Sequence, residues 1–147
     1  MCFTVDIGFQ FEIIWQDSDV IELRASGWNG LFCGAADVYV RAREREETAS
    51  KLQGFPNHPA DIREVVFGGF GPRHGCGGMS MNFYGGDGSG HAFVDSKIES
   101  DYGSKGKAPH AVIFHRGSRV DSFVDELRRL GTDKAGRACL KGMHIQR

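Results

Sequence analysis

The chain has 147 residues, of which 40% are hydrophobic and 25% charged, which is the usual size and composition of one folded domain. Its 18 Lys and Arg residues and 19 Asp and Glu residues give a net charge of -1, which excludes a strong overall attraction to nucleic acid or an anionic membrane. Apolar runs such as residues 111–114 are far shorter than the roughly 20 residues of a membrane helix. We therefore expect a single domain over residues 1–147, well formed over 9–131, with a loosely ordered tail over 132–147.

The N-terminal third predicts three antiparallel strands. Apolar side chains recur at every second position of residues 9–15, which is typical of a half-buried strand. The turn residues Asp17, Ser18 and Asp19 separate this strand from a second one over residues 20–25. After a glycine-containing turn, residues 31–40 predict the third strand.

Residues 41–52 contain good helix formers and many charges, which predicts a helix that faces solvent. Short apolar runs separated by glycine and proline then predict four more strands, and Ser118 with Asp121 predicts the start of an amphipathic helix. The pattern predicts an α+β fold: a meander-like antiparallel sheet of about seven strands with two helices, the C-terminal amphipathic helix packing on the sheet. It leaves open whether the strands form one curved sheet or two packed sheets.

His74 and Cys76 form the best candidate for catalysis. They lie two residues apart in a glycine-rich loop, and a nearby imidazolium lowers the pKa of a thiol. Nucleophilic catalysis also requires a group that stabilises the oxyanion, and the sequence shows none. A small hydrolase or transferase that uses His74 and Cys76 is therefore kept as an alternative to a non-enzymatic protein.

The metal candidates are His91, His110 and His115, which fall on or beside neighbouring predicted strands. No HExxH motif or Cys/His spacing accompanies them, so we expect neither a metal nor another cofactor. The cysteines contain no CxxC pair, which predicts thiols rather than a redox motif or a zinc ribbon: Cys2, Cys33, Cys76 and Cys139.

The charged segment RAREREE is the candidate partner-binding site. Charges of both signs on a short helix are typical of a solvated face with local ion pairs, and such a face also suits docking of a protein partner. The candidate residues are Arg41, Arg43, Glu44, Arg45 and Glu47. Five aromatic residues could form a stacking platform for single-stranded nucleic acid: Phe67, Phe70, Phe83, Tyr84 and Phe93. This interpretation is disfavoured because alternation places most of them in the core.

The opening FEIIWQDSDVIELRASGWNGLFCGAADVYV and the closing DSFVDELRRL resemble a family of small uncharacterised bacterial proteins. In size and format the chain is also similar to the immunity proteins of bacterial toxin systems. These resemblances rest on structural motifs, so they imply no catalytic residue. We expect a non-enzymatic protein-binding or immunity-like module, or alternatively a structural homodimer formed through a strand edge. The first residues, MCFTVDIG, lack the features of a secretory signal, which predicts a cytoplasmic location without membrane association.

Overall fold

The computed structural model describes residues 7–70, 77–85, 91–100, 107–115, 118–131 and 136–142. Eight strands and two helices follow one another in these residues: β1 Gly8–Gln16, β2 Val20–Trp28, β3 Cys33–Arg41, α1 Glu44–Leu52, β4 Ile62–Gly68, β5 Gly78–Gly85, β6 His91–Glu99, β7 Lys107–His115, α2 Ser118–Arg129 and β8 Arg137–Lys141. The first sheet has the order β3-β2-β1-β8, and the second sheet has the order β4-β5-β6-β7. All neighbouring strands are antiparallel.

The predicted α+β class with antiparallel strands and two helices is confirmed. The strands form two four-stranded sheets, which decides the question that the sequence left open. The eighth strand falls within the segment predicted as a loosely ordered tail. Residues 137–141 pair with β1 because Ala138 and Leu140 are buried while Arg137 and Lys141 are exposed, so this short segment has the period-two pattern of a strand.

Phe11 lies at the point where the two sheets and α2 meet. Its side chain on β1 is fully buried. Its ring centroid is 4.7 Å from that of Phe67 on β4 and 5.7 Å from that of Phe123 on α2. One core therefore joins both sheets to the C-terminal helix, which packs on the sheets through its buried face: Val120, Phe123, Val124 and Leu127.

The end of β4 and the start of β5 lie against β3. The backbone N–H of Gly77 donates to the carbonyl oxygen of Asp37 at 3.0 Å. Gly68 has φ +70, and a Cβ at this position would overlap the carbonyl oxygen of Gly77 and lie 3.0 Å from the Cβ of Val38. Only glycine combines a positive φ with so close an approach of neighbouring backbone, so Gly68 sets the packing of β4 on β3.

The two helices contact each other at the other side of the core. Arg45 of α1 donates a hydrogen bond to the carbonyl oxygen of Leu130, just after α2. The guanidinium of Arg128 lies 3.0 Å from Glu46 and also donates to the side chain of Gln53 at 2.6 Å. The predicted helix over 41–52 begins at Glu44, and its buried side, which includes Ala49 and Leu52, faces the core.

Candidate binding surface

The second sheet has an apolar row on the side that faces away from the core. Cα pairing places Ile62 on β4 opposite Tyr84 on β5, and Tyr84 opposite Phe93 on β6. Ile62 is 67% exposed, and the Tyr84 and Phe93 rings are stacked with centroids 5.6 Å apart. Farther along β4, Val66 is 47% exposed on the same side. We call this side of β4, β5 and β6 the outer face of the second sheet.

Charged residues on this outer face are mostly acidic. Next to the apolar row, Glu64 is opposite Asn82, which is opposite Asp95 on β6. The Tyr84 hydroxyl donates to Asp95 at 3.1 Å, and burial together with this hydrogen bond raises the pKa of Tyr84 above its ordinary value. The ammonium of Lys97 lies 4.9 Å from the centroid of the Phe70 ring, a cation–π distance, so this cation has a partner of its own.

On the outward side of the first sheet, the central row of side chains is charged instead of apolar. Cα pairing gives the order Asp37, Arg24, Glu12, Arg137 across its four strands. Arg24 donates to Asp37 at 2.9 Å, and Arg137 donates to Glu12 at 2.8 Å. The hydrogen bond to Asp37 raises the pKa of Arg24. Because each charge has an opposite neighbour, this row is satisfied without a partner protein.

Two exposed aromatic residues also lie on the outward side of the first sheet, but they are separated. Trp15 and Tyr39 each pair with Glu22, so a carboxylate lies between them. The apolar side chains of the second sheet, in contrast, are contiguous on three adjacent strands. This contiguity distinguishes the outer face of the second sheet.

A partly buried ion pair fixes the start of β4. Arg63 donates to Asp61 at 2.8 and 3.2 Å, and Asp61 also accepts the backbone N–H of Asn57 at 2.7 Å. Arg63 further donates to the carbonyl oxygens of Lys51 and Gln53, at 3.2 and 2.7 Å, which are orphan acceptors at the end of α1. Its hydrogen bond to Asp61 holds the pKa of that carboxyl below its ordinary value. The pair therefore ties β4 to α1 and fixes which side of the strand faces solvent.

The candidate partner-binding residues lie around the start of α1. Arg41 ends β3, and Arg43 occupies the N-cap position of α1. Arg45 contacts the end of α2, so its guanidinium contributes to packing of the two helices. Glu44 is half-buried and Glu47 is exposed in the first turns of α1. Their predicted role in partner binding stays a prediction.

Arg41 and Arg43 also line an open surface depression of about 400 Å³. The other lining residues come from the β1–β2 turn and the β3–α1 connection: Ser18, Asp19, Val20 and Ala42. The turn is held by Asp17, whose carboxylate accepts the backbone N–H groups of Asp19 and Val20 at 2.8 Å each. These two hydrogen bonds lower the pKa of Asp17. The depression is shallow and open, which is unlike the enclosed pockets that hold small molecules.

The catalytic candidates His74 and Cys76 lie outside the described residues, so their proposed chemistry stays a prediction. Two other cysteines are described. Cys139 retains its thiol, as the sequence predicts. Cys33 is disulfide-bonded, so the prediction of a thiol is wrong at this position.

Backbone pairing brings two of the three metal candidates together. His91 on β6 is the Cα partner of His115 on β7, whereas His110 is paired with Ser96 five residues along the strand. The three histidines therefore do not share one register position. In the described part of the chain, no group of three or more His, Cys, Asp or Glu side chains is arranged to hold a metal ion.

The aromatic residues considered as a nucleic-acid platform divide between the two sides of the second sheet. Phe67 and Phe83 are buried in the core, as the alternation predicts, whereas Tyr84 and Phe93 lie on the outer face. The sequence pattern did not indicate that Ile62 and Val66 lie on the surface. The available signal was the sequence IREVVFG, in which apolar residues occupy both sides of a strand while Arg63 occupies the inward side.

Neither helix among the described residues is long and apolar enough to cross a membrane. Comparison with protein families, with curated proteins and with solved structures finds no match to this chain. The resemblance to small bacterial proteins and to immunity proteins therefore stays a prediction.

Proposed function

We propose that this protein is a non-enzymatic protein-binding module that recognises its partner through the outer face of the second sheet. One observation carries the proposal: Ile62, Tyr84 and Phe93 form a contiguous apolar row on the solvent side of three adjacent strands, and Val66 is exposed on the same side farther along β4. The solvent side of an antiparallel sheet is usually polar, and contiguous exposed apolar side chains are typical of an interaction surface. Burial of these side chains by a partner stabilises the complex through the hydrophobic effect.

The test is affinity capture with the tagged protein at physiological salt, using cells that make it. The wild type is compared with Ile62→Lys and Val66→Lys, and Leu31→Lys serves as the control because Leu31 is 75% exposed in the turn between β2 and β3. Full burial of one such side chain contributes about 1.5–3 kcal/mol, so each face variant should weaken binding by about tenfold or more.

The proposal is supported if one stoichiometric partner is retained by the wild type and by Leu31→Lys but lost by Ile62→Lys and Val66→Lys. A partner that all variants retain would show that another surface binds it. Since Ile62 and Val66 are exposed, their variants should keep the circular dichroism spectrum of the wild type. An immunity-like role, with a toxin domain as the partner, is the specific form of the proposal that the chain's size and format favour.

A structural homodimer is the second candidate, because β4 is the terminal strand of the second sheet. A terminal strand can pair with the same strand of a second copy. Sedimentation equilibrium tests this candidate: the dimer requires twice the 16.2 kDa mass of the chain, and a monomer across micromolar concentrations excludes it.

A cytoplasmic location stays a proposal. The disulfide at Cys33 favours an oxidising compartment instead, since cytosolic proteins seldom keep structural disulfides. Fractionation of the native cells, with the protein detected on a non-reducing gel, decides between the two locations.

A further inference from the structure

β4 is the terminal strand of the second sheet in the described part of the chain. It pairs with β5 along Ile62–Gly68, and among the described strands no other pairs with it. Natural proteins protect an edge strand with charged side chains, above all lysine, with inward-pointing charges, with proline or with a short length. β4 has seven residues, IREVVFG, with neither lysine nor proline; its two charged residues are Arg63, which Asp61 holds on the inward side, and Glu64 on the outward side.

The side chains that an added strand would meet have a simple pattern. Ile62, Glu64 and Val66 occupy the outward side of β4 in succession and are all exposed. The inward residues Val65 and Phe67 are already buried in the core. The side chains on the outward side of β4 are therefore apolar, acidic and apolar in succession.

The negative charge of the outer face favours a cation opposite Glu64. The row of Glu64 also contains Asp95 and the neutral Asn82. The nearest described cation on this face, Lys97, lies two residues farther along β6 than Asp95 and contacts Phe70. Opposite charges directly across two strands stabilise their pairing, and like charges destabilise it.

We propose that the partner supplies an extended segment that adds to β4 as a fifth strand of the second sheet, with a basic residue opposite Glu64 and apolar residues opposite Ile62 and Val66. This inference rests on the proposed function and names the class of partner for the same surface. Backbone hydrogen bonds to the open edge provide affinity, and the alternate side chains provide specificity.

The same pattern disfavours a second copy of this chain as the added strand. In an antiparallel pair of two β4 strands, the register that places Ile62 opposite Val66 of the second copy also places Glu64 opposite Glu64. A shift of two residues separates the carboxylates but places each of them opposite an apolar residue of the other copy, Val66 or Ile62 according to the direction of the shift. Each register loses either charge or apolar complementarity.

Synthetic peptides test the inference directly on the full-length protein. The probe is Thr-Val-Thr-Lys-Thr-Val-Thr, compared with the same peptide carrying Glu in place of Lys. Binding is followed by amide chemical shifts and by hydrogen exchange of the β4 amides. The Lys peptide should bind about fivefold more tightly and should slow exchange in β4.

Charge-reversal variants provide the decisive comparison. Glu64→Lys should reverse the preference so that the Glu peptide binds better. Asp125→Lys is the matched control, since it makes the same charge change at an exposed position of α2 and should leave the preference unchanged. Equal binding of the two peptides, a preference that survives Glu64→Lys, or unchanged exchange in β4 overturns the inference, as does self-association of the wild type through β4.

The two proposals fail separately. If partner capture depends on Ile62 and Val66 while the peptides show no charge preference, the fifth-strand inference is wrong and the binding-module proposal stands. If the peptides discriminate as expected while capture is insensitive to Ile62→Lys and Val66→Lys, the proposed role of the face in partner recognition is wrong.

Discussion

Replacing Phe11 by alanine tests whether the two sheets and α2 share one core. Phe11 is fully buried, and its ring contacts Phe67 of the second sheet at 4.7 Å and Phe123 of α2 at 5.7 Å between centroids. The substitution therefore removes contacts among three layers at once, and the surrounding rings cannot all close the cavity.

The expected loss in the free energy of unfolding is about 3–5 kcal/mol, the usual cost of Phe→Ala in a core. It includes the two ring pairs, which contribute about 0.5–1.5 kcal/mol each beyond the area that they bury. Because the total free energy of unfolding of a domain is about 5–15 kcal/mol, the variant should lose a large part of its stability. Phe32→Ala is the control: Phe32 is 64% exposed, so its loss should stay within about 0.5 kcal/mol.

Equilibrium unfolding in urea measures both variants. With a slope of about 2 kcal/mol per molar, Phe11→Ala should lower the midpoint by about 2 M, in one transition that fluorescence and circular dichroism both follow. A loss below about 1 kcal/mol would refute the shared core. Two separate transitions would show that the sheets unfold independently, which would also refute it.

Three further predictions concern the backbone, the ion pair and the disulfide. Gly68→Ala should destabilise more than Gly54→Ala in the same urea experiment, since both positions have positive φ but only a Cβ at Gly68 meets neighbouring backbone. Asp61→Asn should cost about 1–3 kcal/mol at neutral pH. Because the pKa of Asp61 is lowered in the folded state, the ionised carboxylate stabilises the fold above its ordinary pKa of 3.8. This stabilisation is lost as the pH falls through the folded-state pKa. The urea midpoint of Asp61→Asn should therefore depend less on pH in that range than the midpoint of the wild type. Thiol titration of the unfolded, unreduced protein should find at most two of the four cysteines, since the disulfide at Cys33 uses two; finding all four would contradict it.

Local patterns in the sequence were enough to predict most elements of the fold. Alternating apolar residues predicted β1 and β2, a short apolar run after proline residues predicted β4, and helical spacing predicted α2, all near their observed bounds. These predictions succeed because side-chain alternation and helical periodicity are properties of neighbouring residues. The exception is β8, whose two buried residues, Ala138 and Leu140, are too few for a clear period.

The candidate surface was harder to predict. The sequence located the strand over 62–67, but its apolar residues fall on both sides, so alternation does not say which side is buried. The tertiary structure decides this through Arg63, which turns inward to bind Asp61 and the end of α1 and leaves Ile62 and Val66 in solvent.

The sequence by itself therefore determined the class of the fold, the strands and helices with strong periodicity, and the absence of a strong net charge. Only the tertiary structure decided that the strands divide into two sheets, that residues 137–141 pair with β1, and that apolar side chains of three strands meet on an outward face. The physical reason is that sheet order and register depend on contacts between residues far apart in the chain, and local pattern carries little information about them.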